Sequence, residues 1–136
     1  MHLMVWNDNM TVGVKAMDDD HRQLVDIVNE LTQGIVSGQD LKAVGFVLER
    51  LIQSTKDHLT REERLLAQNC CPVTKQHHRE HDLLIKNVLI AQANFRMGST
   101  HVLAEGVIQF LQSWLYVHLQ GSDKEYGPFL NSRGIL

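Results

Sequence analysis

The chain has 136 residues, of which 43% are hydrophobic and 21% are charged. This length predicts one domain, and the hydrophobic content is high enough for a packed core. Thirteen Lys and Arg against 16 Asp and Glu give a formal net charge of −3. That charge argues against a nucleic-acid partner, because nucleic-acid-binding proteins carry a clustered basic face. Eight histidines are the one compositional excess, and histidine is the commonest metal ligand.

The sequence predicts neither a membrane span nor a leader peptide. Its longest apolar runs are far below the ~18 residues of a transmembrane helix, and its N-terminus lacks the basic start and apolar stretch of a secretory signal. The adjacent Cys70 and Cys71 cannot build a disulfide framework, and a disulfide between neighbours is strained, so we expect free thiols. These features predict a cytoplasmic protein with no membrane partner.

In chain order, the first predicted element is an extended arm over residues 1–17, which show no helical periodicity. Asp18 is the expected N-cap of the first helix. The second helix ends before Pro72, because proline disfavours helix at the residue that precedes it. Gly127 and Pro128 are expected to break the tail. The predicted helices cover residues 18–38, 40–69, 74–96 and 100–120, and the tail covers 121–136.

Each predicted helix carries a seam of residues at alternating steps of three and four, such as Leu24, Val28 and Leu31 in the first helix. Four such seams pack around a common core, and short connections force neighbouring helices to be antiparallel. The sequence therefore predicts an all-α protein, an up-down-up-down antiparallel four-helix bundle with an extended N-terminal arm.

Six polar residues occupy seam positions that should be apolar. A buried carboxylate that is left unpaired costs several kcal/mol, so a shared reason is needed for all six. They lie near the start of the first and third helices and near the end of the second and fourth, which is one pole of an up-down-up-down bundle. A metal site explains why they converge there. The six residues are His21, His58, Glu62, His77, His81 and His118.

Helical spacing supports this interpretation. His58 and Glu62, like His77 and His81, are four residues apart, which is a rotation of about 40° on a helix, so each pair can present two donors to one point. Glu63 is five residues from His58 and points away from the seam. We expect it to be solvated or to hydrogen-bond to a metal ligand without binding the metal itself.

Asp123 is a seventh candidate ligand. It lies five residues beyond His118 and off the regular seam, so it turns inward only if the helix unwinds near Gly121. The residues alone leave its role open.

The donor types narrow the choice of metal. Five imidazoles and two carboxylates are too many donors for one tetrahedral zinc ion, and no thiolate lies on a seam. A mixed nitrogen and oxygen set suits first-row ions such as iron or manganese, and two bridging carboxylates would help to balance the charge of two ions. We favour a dinuclear non-haem iron site.

Other histidine patterns have plainer interpretations. Residues 77–81 also fit the His-x-x-Glu-His signature of a zinc protease, which the convergence of the other candidates at the same pole disfavours. His2, His78 and His101 lie off the seams and are expected at the surface.

The motifs together resemble the hemerythrin family in its bacterial form, and they extend in order over nearly the whole chain. They are Trp6, Met17-Asp18-x-x-His21, His58-x-x-x-Glu62-Glu63, His77-x-x-x-His81 and Trp114-Leu115-x-x-His118-x-x-x-x-Asp123. The sequence departs from the family at Leu59, where an aromatic residue is frequent, and in the turn over residues 69–72.

The resemblance implies a ligand set. One iron would be held by His77, His81 and His118, and the other by His21 and His58. Glu62 and Asp123 would bridge the two ions together with an oxo or hydroxo group, which leaves one open position on the second iron for dioxygen. Apolar side chains would wall that position and slow autoxidation. The expected pocket residues are Leu24, Leu59, Trp114 and Leu115.

The function that the resemblance implies is reversible dioxygen binding for storage, delivery or supply to an oxygen-consuming enzyme, without enzymatic turnover. A second hypothesis is an oxygen- or redox-sensing input domain that reports to a signalling output domain. A third is a di-iron enzyme that reduces peroxide or nitric oxide. The expected pocket has no obvious proton-delivering acid, and the His-x-x-x-Glu order differs from the Glu-x-x-His pairs of ferritin-like oxidases, so both features disfavour an enzyme.

Overall fold

Over the residues that it describes, the computed structural model contains five α-helices and one short 3-10 turn at Asp8–Met10. It describes residues 3–97, 101–120 and 122–136, apart from the side chains at 91, 94, 101–105, 107, 122 and 123. Within these ranges there is no β-strand. The helices are α1 (Lys15–Val36), α2 (Leu41–Gln68), α3 (Thr74–Met97), α4 (His101–Gln120) and α5 (Ser122–Ser132).

Helices α1 to α4 form the predicted four-helix bundle. Each contacts the next along the chain, and α4 closes the ring against α1. The connection from α1 to α2 is tight: Gly38 has a φ of 75°, in the left-handed region that favours glycine. The Asp40 carboxylate then accepts a hydrogen bond of 2.8 Å from the Ala43 amide and caps the start of α2. Short turns of this kind make neighbouring helices antiparallel, as the sequence predicts.

Apolar seams from all four helices meet along the bundle axis. Val28 and Leu31 of α1, Leu48 of α2 and Val88 of α3 are 2–3% exposed and belong to one continuous cluster. In α1 and α2 the buried residues recur at helical spacing along one side, so these two helices are amphipathic. Over the part of the chain that the structure describes, no helix is both long and apolar enough to cross a membrane.

The start of α1 differs from the prediction. Helix α1 begins at Lys15 and follows Val14, so Asp18 lies in its first turn and is not the N-cap. The Asp18 carboxylate instead folds back and accepts hydrogen bonds from the Val12 amide, at 2.8 Å, and from the Thr11 hydroxyl. Asp18 therefore fixes the end of the arm against α1, a contact that helix-capping rules do not anticipate.

The predicted tail also differs, because residues 122–132 form helix α5 despite Pro128 in its interior. Burial offsets the hydrogen bond that proline removes. Tyr126 and Leu130 are both 0% exposed and pack in a second apolar cluster with Val14 and Leu66. Tyr126 and Leu130 are four residues apart, which is typical of one face of a helix. The prediction of a non-helical tail gave more weight to Gly127 and Pro128.

The N-terminal arm lies against the bundle. The Met4 amide donates to Asn29 Oδ1 and the Met4 carbonyl accepts from Asn29 Nδ2, both at 2.7 Å. Met10 is 2% exposed and belongs to the main core cluster. At Gly127 of α5 the arm comes so close that a Cβ would collide with the Val12 carbonyl oxygen. The arm is thus held by α1 on one side and α5 on the other.

Candidate metal centre

The six polar seam residues come together at one end of the bundle, which we call the histidine end. All are buried, with exposures between 0% and 5%. They come from all four bundle helices, as the alternating helix directions predict. The set is His21 on α1, His58 and Glu62 on α2, His77 and His81 on α3, and His118 on α4.

Glu62 lies between two groups of imidazoles. Its Oε2 atom is 2.9 Å from His58 Nε2 and 3.5 Å from His21 Nε2. We call these two residues the two-His group. Each of them can reach the same oxygen because α1 and α2 are adjacent in the bundle.

The other oxygen of Glu62 faces the remaining imidazoles. Its Oε1 atom is 3.1 Å from His77 Nδ1, 3.3 Å from His81 Nε2 and 3.9 Å from His118 Nε2. We call these three residues the three-His group. Either group, taken with Glu62, has ligand atoms within 4.8 Å of one another, which is close enough to surround one ion. One carboxylate is therefore placed to join two ion sites.

The chemistry of this donor set fits metal ions. His21 Nε2 lies 3.0 Å from His58 Nε2, and His81 Nε2 lies 3.4 Å from His118 Nε2. A neutral imidazole has one donor and one acceptor nitrogen, so at most one nitrogen of each pair can carry a proton without repulsion. Lone pairs thus converge at the histidine end, and several imidazoles with carboxylate are a donor set typical of first-row transition metals.

Electrostatics in the site favour an ionised carboxylate. Burial alone would raise the pKa of Glu62, but contacts with the imidazoles around it hold the pKa well below its usual value. An ionised Glu62 supplies negative charge in a buried place where cations would otherwise be costly.

Asp20 supports the two-His group from outside. His58 Nδ1 lies 2.9 Å from Asp20 Oδ2, and Arg61 donates to both oxygens of Asp20, at 3.0 and 2.9 Å. Partial burial would raise the pKa of Asp20, but hydrogen bonds and charge from His58 and Arg61 lower it to about 2. Sequence reasoning treated Asp20 only as an acid that favours the start of a helix, and no periodic signal indicates this contact.

Two further carboxylates, those of Glu80 and Glu63, lie near the outer nitrogens of the three-His group. Glu80 Oε2 lies 3.6 Å from His118 Nδ1, and Glu63 Oε1 lies 3.7 Å from His81 Nδ1. Both separations are beyond a normal hydrogen bond. Glu63 points outward as predicted and is 2.6 Å from Nδ1 of His78, which is exposed as expected. This contact raises the pKa of His78.

Tyr126 of α5 is a site neighbour that sequence reasoning missed. Its hydroxyl is 3.3 Å from Glu62 Oε2, and its ring centroid is 5.4 Å from that of His77. Tyr126 falls in the predicted tail, for which the sequence analysis predicts no helix. Asp123 belongs to the same helix, but its side chain lies outside the described residues.

A small apolar cavity of about 20 Å³ adjoins the histidine layer. Four of its lining residues lie one helical turn inward from a histidine of the site, and they are Leu24, Thr55, Leu84 and Trp114. The others are Val28, Leu51, Leu111 and Leu115. Three of the four expected pocket residues are therefore in the lining.

Leu59 is the expected pocket residue that does not line this cavity. It is 4% exposed and belongs to the same main core cluster as Leu24 and Leu115, but it does not reach the cavity. The reason is rotation: the residue after His58 lies about 100° around the helix from it, away from the seam. Trp114 also stacks on the His118 ring, with centroids 4.4 Å apart.

A buried cluster of metal ligands in a four-helix bundle defines the class as a helical-bundle cation-binding protein. Comparison with known proteins agrees: a model of the hemerythrin HHE cation-binding domain matches residues 12–130. The chain belongs to the hemerythrin family.

Curated relatives and solved structures are similar over most of their length. A bacteriohemerythrin of Stenotrophomonas maltophilia (strain R551-3) is 30% identical over 126 residues, which cover 93% of this chain and 80% of the relative. A bacteriohemerythrin of Methylococcus capsulatus is 29% identical over 133 residues, 97% of this chain and 100% of the relative. A crystal structure of wild-type hemerythrin superposes with a TM-score of 0.85 at 29% identity, covering 93% of this chain and 97% of that one.

Proposed function

We propose that this protein binds dioxygen reversibly at two non-haem iron ions and serves as an oxygen carrier or store. Membership of the hemerythrin family supports a di-iron oxygen-binding protein in general. The observation that carries the proposal is Glu62, whose two oxygens face two separate imidazole groups. A carboxylate in this position suits a bridge between two ions better than a ligand to one.

In this proposal each ligand has one role. His77, His81 and His118 hold one ion, His21 and His58 hold the other, and Glu62 bridges them. Asp123 is proposed as a second bridge on the family pattern, together with an oxo or hydroxo group. When bound, the iron pair supplies the electrons for reversible oxygen binding. The two-His group provides one imidazole fewer than the three-His group, which leaves room for an external ligand on its side.

The apolar cavity supports binding rather than turnover. Its volume of about 20 Å³ is close to that of one water molecule, and an apolar cavity of this kind stays dry. Among the lining residues that the structure describes, the only hydroxyl belongs to Thr55, and it donates to the Leu51 carbonyl at 2.7 Å. These described residues offer no acid to protonate reduced oxygen, and a dry wall disfavours the escape of charged species.

Two further proposals concern the domain organisation and the cellular location. We propose that residues 1–136 act as one hemerythrin-like domain, which the shared core of the four bundle helices supports. We also propose a cytoplasmic location, which the free thiols of Cys70 and Cys71 support.

Oxygen cycling tests the proposed function. The protein is loaded with ferrous iron under argon, exposed to oxygen, and returned to argon while its visible charge-transfer absorption is recorded. We expect the absorption to appear with oxygen and to disappear again over repeated cycles. Conversion to a permanently oxidised form in the first cycle would contradict reversible binding and favour redox chemistry.

A further inference from the structure

The contact between Asp20 and His58 joins two helices at the two-His group. Asp20 is on α1, directly before His21, and its side chain is 15% exposed. His58 is on α2, and its side chain is 3% exposed. The 2.9 Å separation of His58 Nδ1 from Asp20 Oδ2 is that of a charge-assisted hydrogen bond.

This hydrogen bond determines which nitrogen of His58 faces the site. A carboxylate can only accept, so Nδ1 must carry the proton and donate it to Asp20. This leaves Nε2 as the nitrogen that faces the site: it can donate to Glu62 Oε2, 2.9 Å away, in the metal-free chain, and it offers its lone pair to an ion once that proton is released. The ring is also held in place, because it cannot turn without breaking the bond to Asp20.

Arg61 holds Asp20 in turn. It lies one turn after His58 on α2 and donates through two nitrogens to the two oxygens of Asp20. Such a bidentate contact fixes the plane of a carboxylate as well as its position. The guanidinium is half-exposed, so the chain of contacts runs from the surface to a buried ligand.

Two carboxylate contacts in the three-His group are longer. Glu80 Oε2 stands 3.6 Å from His118 Nδ1, and Glu63 Oε1 stands 3.7 Å from His81 Nδ1. The contact of Asp20 with His58 is shorter than either of these. We infer that Asp20, held by Arg61, is a positioning residue that presets His58 as an Nε2 ligand and strengthens the hold of the two-His group on its ion. This inference rests on the proposed function, since it assumes one ion at each group.

Cobalt(II) alone is the probe for the first test, because its absorption reports the ligands of each ion and no oxygen chemistry is needed. Ions are titrated into the metal-free full chain, and the two dissociation constants are fitted. We expect Asp20→Asn to weaken one of the two ions by about 10- to 100-fold, the usual effect of removing a carboxylate that orients a ligand histidine. The other ion should bind within about threefold of wild type.

Matched controls separate positioning from general damage. Asp19→Asn changes the adjacent acid, which is exposed and pairs with Lys15, and should leave both ions unaffected. Arg61→Gln should weaken the same ion as Asp20→Asn, but less, whereas Arg64→Gln, an exposed residue on the same helix, should not. If Asp20→Asn does not fold, the two arginine variants decide the question.

A second readout needs no metal. Nitrogen-15 NMR of the metal-free chain, at a pH where imidazoles are neutral, reports which ring nitrogen carries the proton. We expect His58 to be protonated at Nδ1 in wild type and in Asp19→Asn, and to become a mixture in Asp20→Asn. A purely structural link between α1 and α2 would not move this signal.

The outcomes distinguish this inference from the proposed function. Wild type that binds two ions, with Asp20→Asn binding both equally well, overturns the positioning role alone. An equal loss at both ions overturns it too, because the effect is then not confined to the two-His group. Wild type that binds fewer than two ions contradicts the proposed function and the inference together.

Discussion

The two ends of the bundle bury very different side chains. At the apolar end, where α1 ends and α2 begins, Ile35, Val44 and Leu48 are 2–5% exposed and need no partner. At the histidine end, five imidazoles and Glu62 are buried just as deeply. Apolar burial stabilises a fold by itself, whereas buried polar groups cost free energy unless something compensates them.

This difference separates the stability that comes from apolar packing from the stability that metal binding would add. The apolar end needs no bound ion to pack. We therefore expect its contribution to the free energy of unfolding to be the same with and without metal. The histidine end gathers donors that we propose are compensated by bound ions, so we expect its contribution to the free energy of unfolding to follow the concentration of metal. Glu62→Ala and Leu48→Ala therefore each have two values of unfolding free energy, one measured without iron and one with iron.

Glu62→Ala should have the largest effect on the histidine end. On the proposed bridging role, loss of the Glu62 carboxylate should remove at least one iron, and with it the stabilisation that a bound ion provides, about 4 kcal/mol when free iron exceeds its dissociation constant a thousandfold. Iron analysis and chemical unfolding with and without iron measure this loss. Glu49→Ala, an exposed residue at the other end of α2, is the control and should keep two irons. Retention of two irons by Glu62→Ala would contradict the bridging role.

Leu48→Ala tests the apolar end. The side chain is 3% exposed, and truncation of a buried leucine costs about 2–5 kcal/mol. We expect the same loss in the free energy of unfolding without iron and with saturating iron, since Leu48 lies far along α2 from the ligands. A loss that depends on iron would mean that the two ends are not independent.

Gly127→Ala tests the contact of the arm with α5. A Cβ at this position collides with the Val12 carbonyl oxygen, so the arm must shift, and we expect a loss of about 1–3 kcal/mol. Gly106→Ala is the matched control, because Gly106 is a helical glycine and no atom of the described residues lies within 4 Å of the added Cβ. That control should stabilise the protein by about 0.5–1 kcal/mol. Thermal unfolding of both variants measures the difference, and equal midpoints would show that the arm does not pack on Gly127.

Leu115→Thr tests the boundary between the two ends, where the cavity lies. A hydroxyl in the cavity lining admits water, so autoxidation should become several-fold faster while the iron content is unchanged. Val117→Thr on the exposed face of α4 is the control and should oxidise at the wild-type rate. An unchanged rate in Leu115→Thr would place the oxygen pocket elsewhere.

The sequence predicts the histidine end well because periodicity carries the information. A polar residue on an apolar seam is visible from spacing alone, and alternating helix directions bring such residues to one pole, as the structure shows for His21, His58 and His118. Leu24 and Trp114 follow from the same rule, because each is one turn from a histidine.

Contacts that cross between elements leave no such pattern. The bond from Asp20 to His58 depends on the packing of α1 on α2, and Asp20 has only the spacing of an ordinary acid in a first turn. Tyr126 reaches Glu62 because α5 folds back over the bundle, against the local signal of Gly127 and Pro128. Tertiary burial outweighed local propensity in that helix.

Iron content at equilibrium tests the central claim most directly. Metal-free protein is dialysed under argon against ferrous iron well above its dissociation constant, and bound iron is counted per chain. Two irons per chain are expected, one for each group of imidazoles around Glu62. A value of one or none in the folded protein would contradict the account.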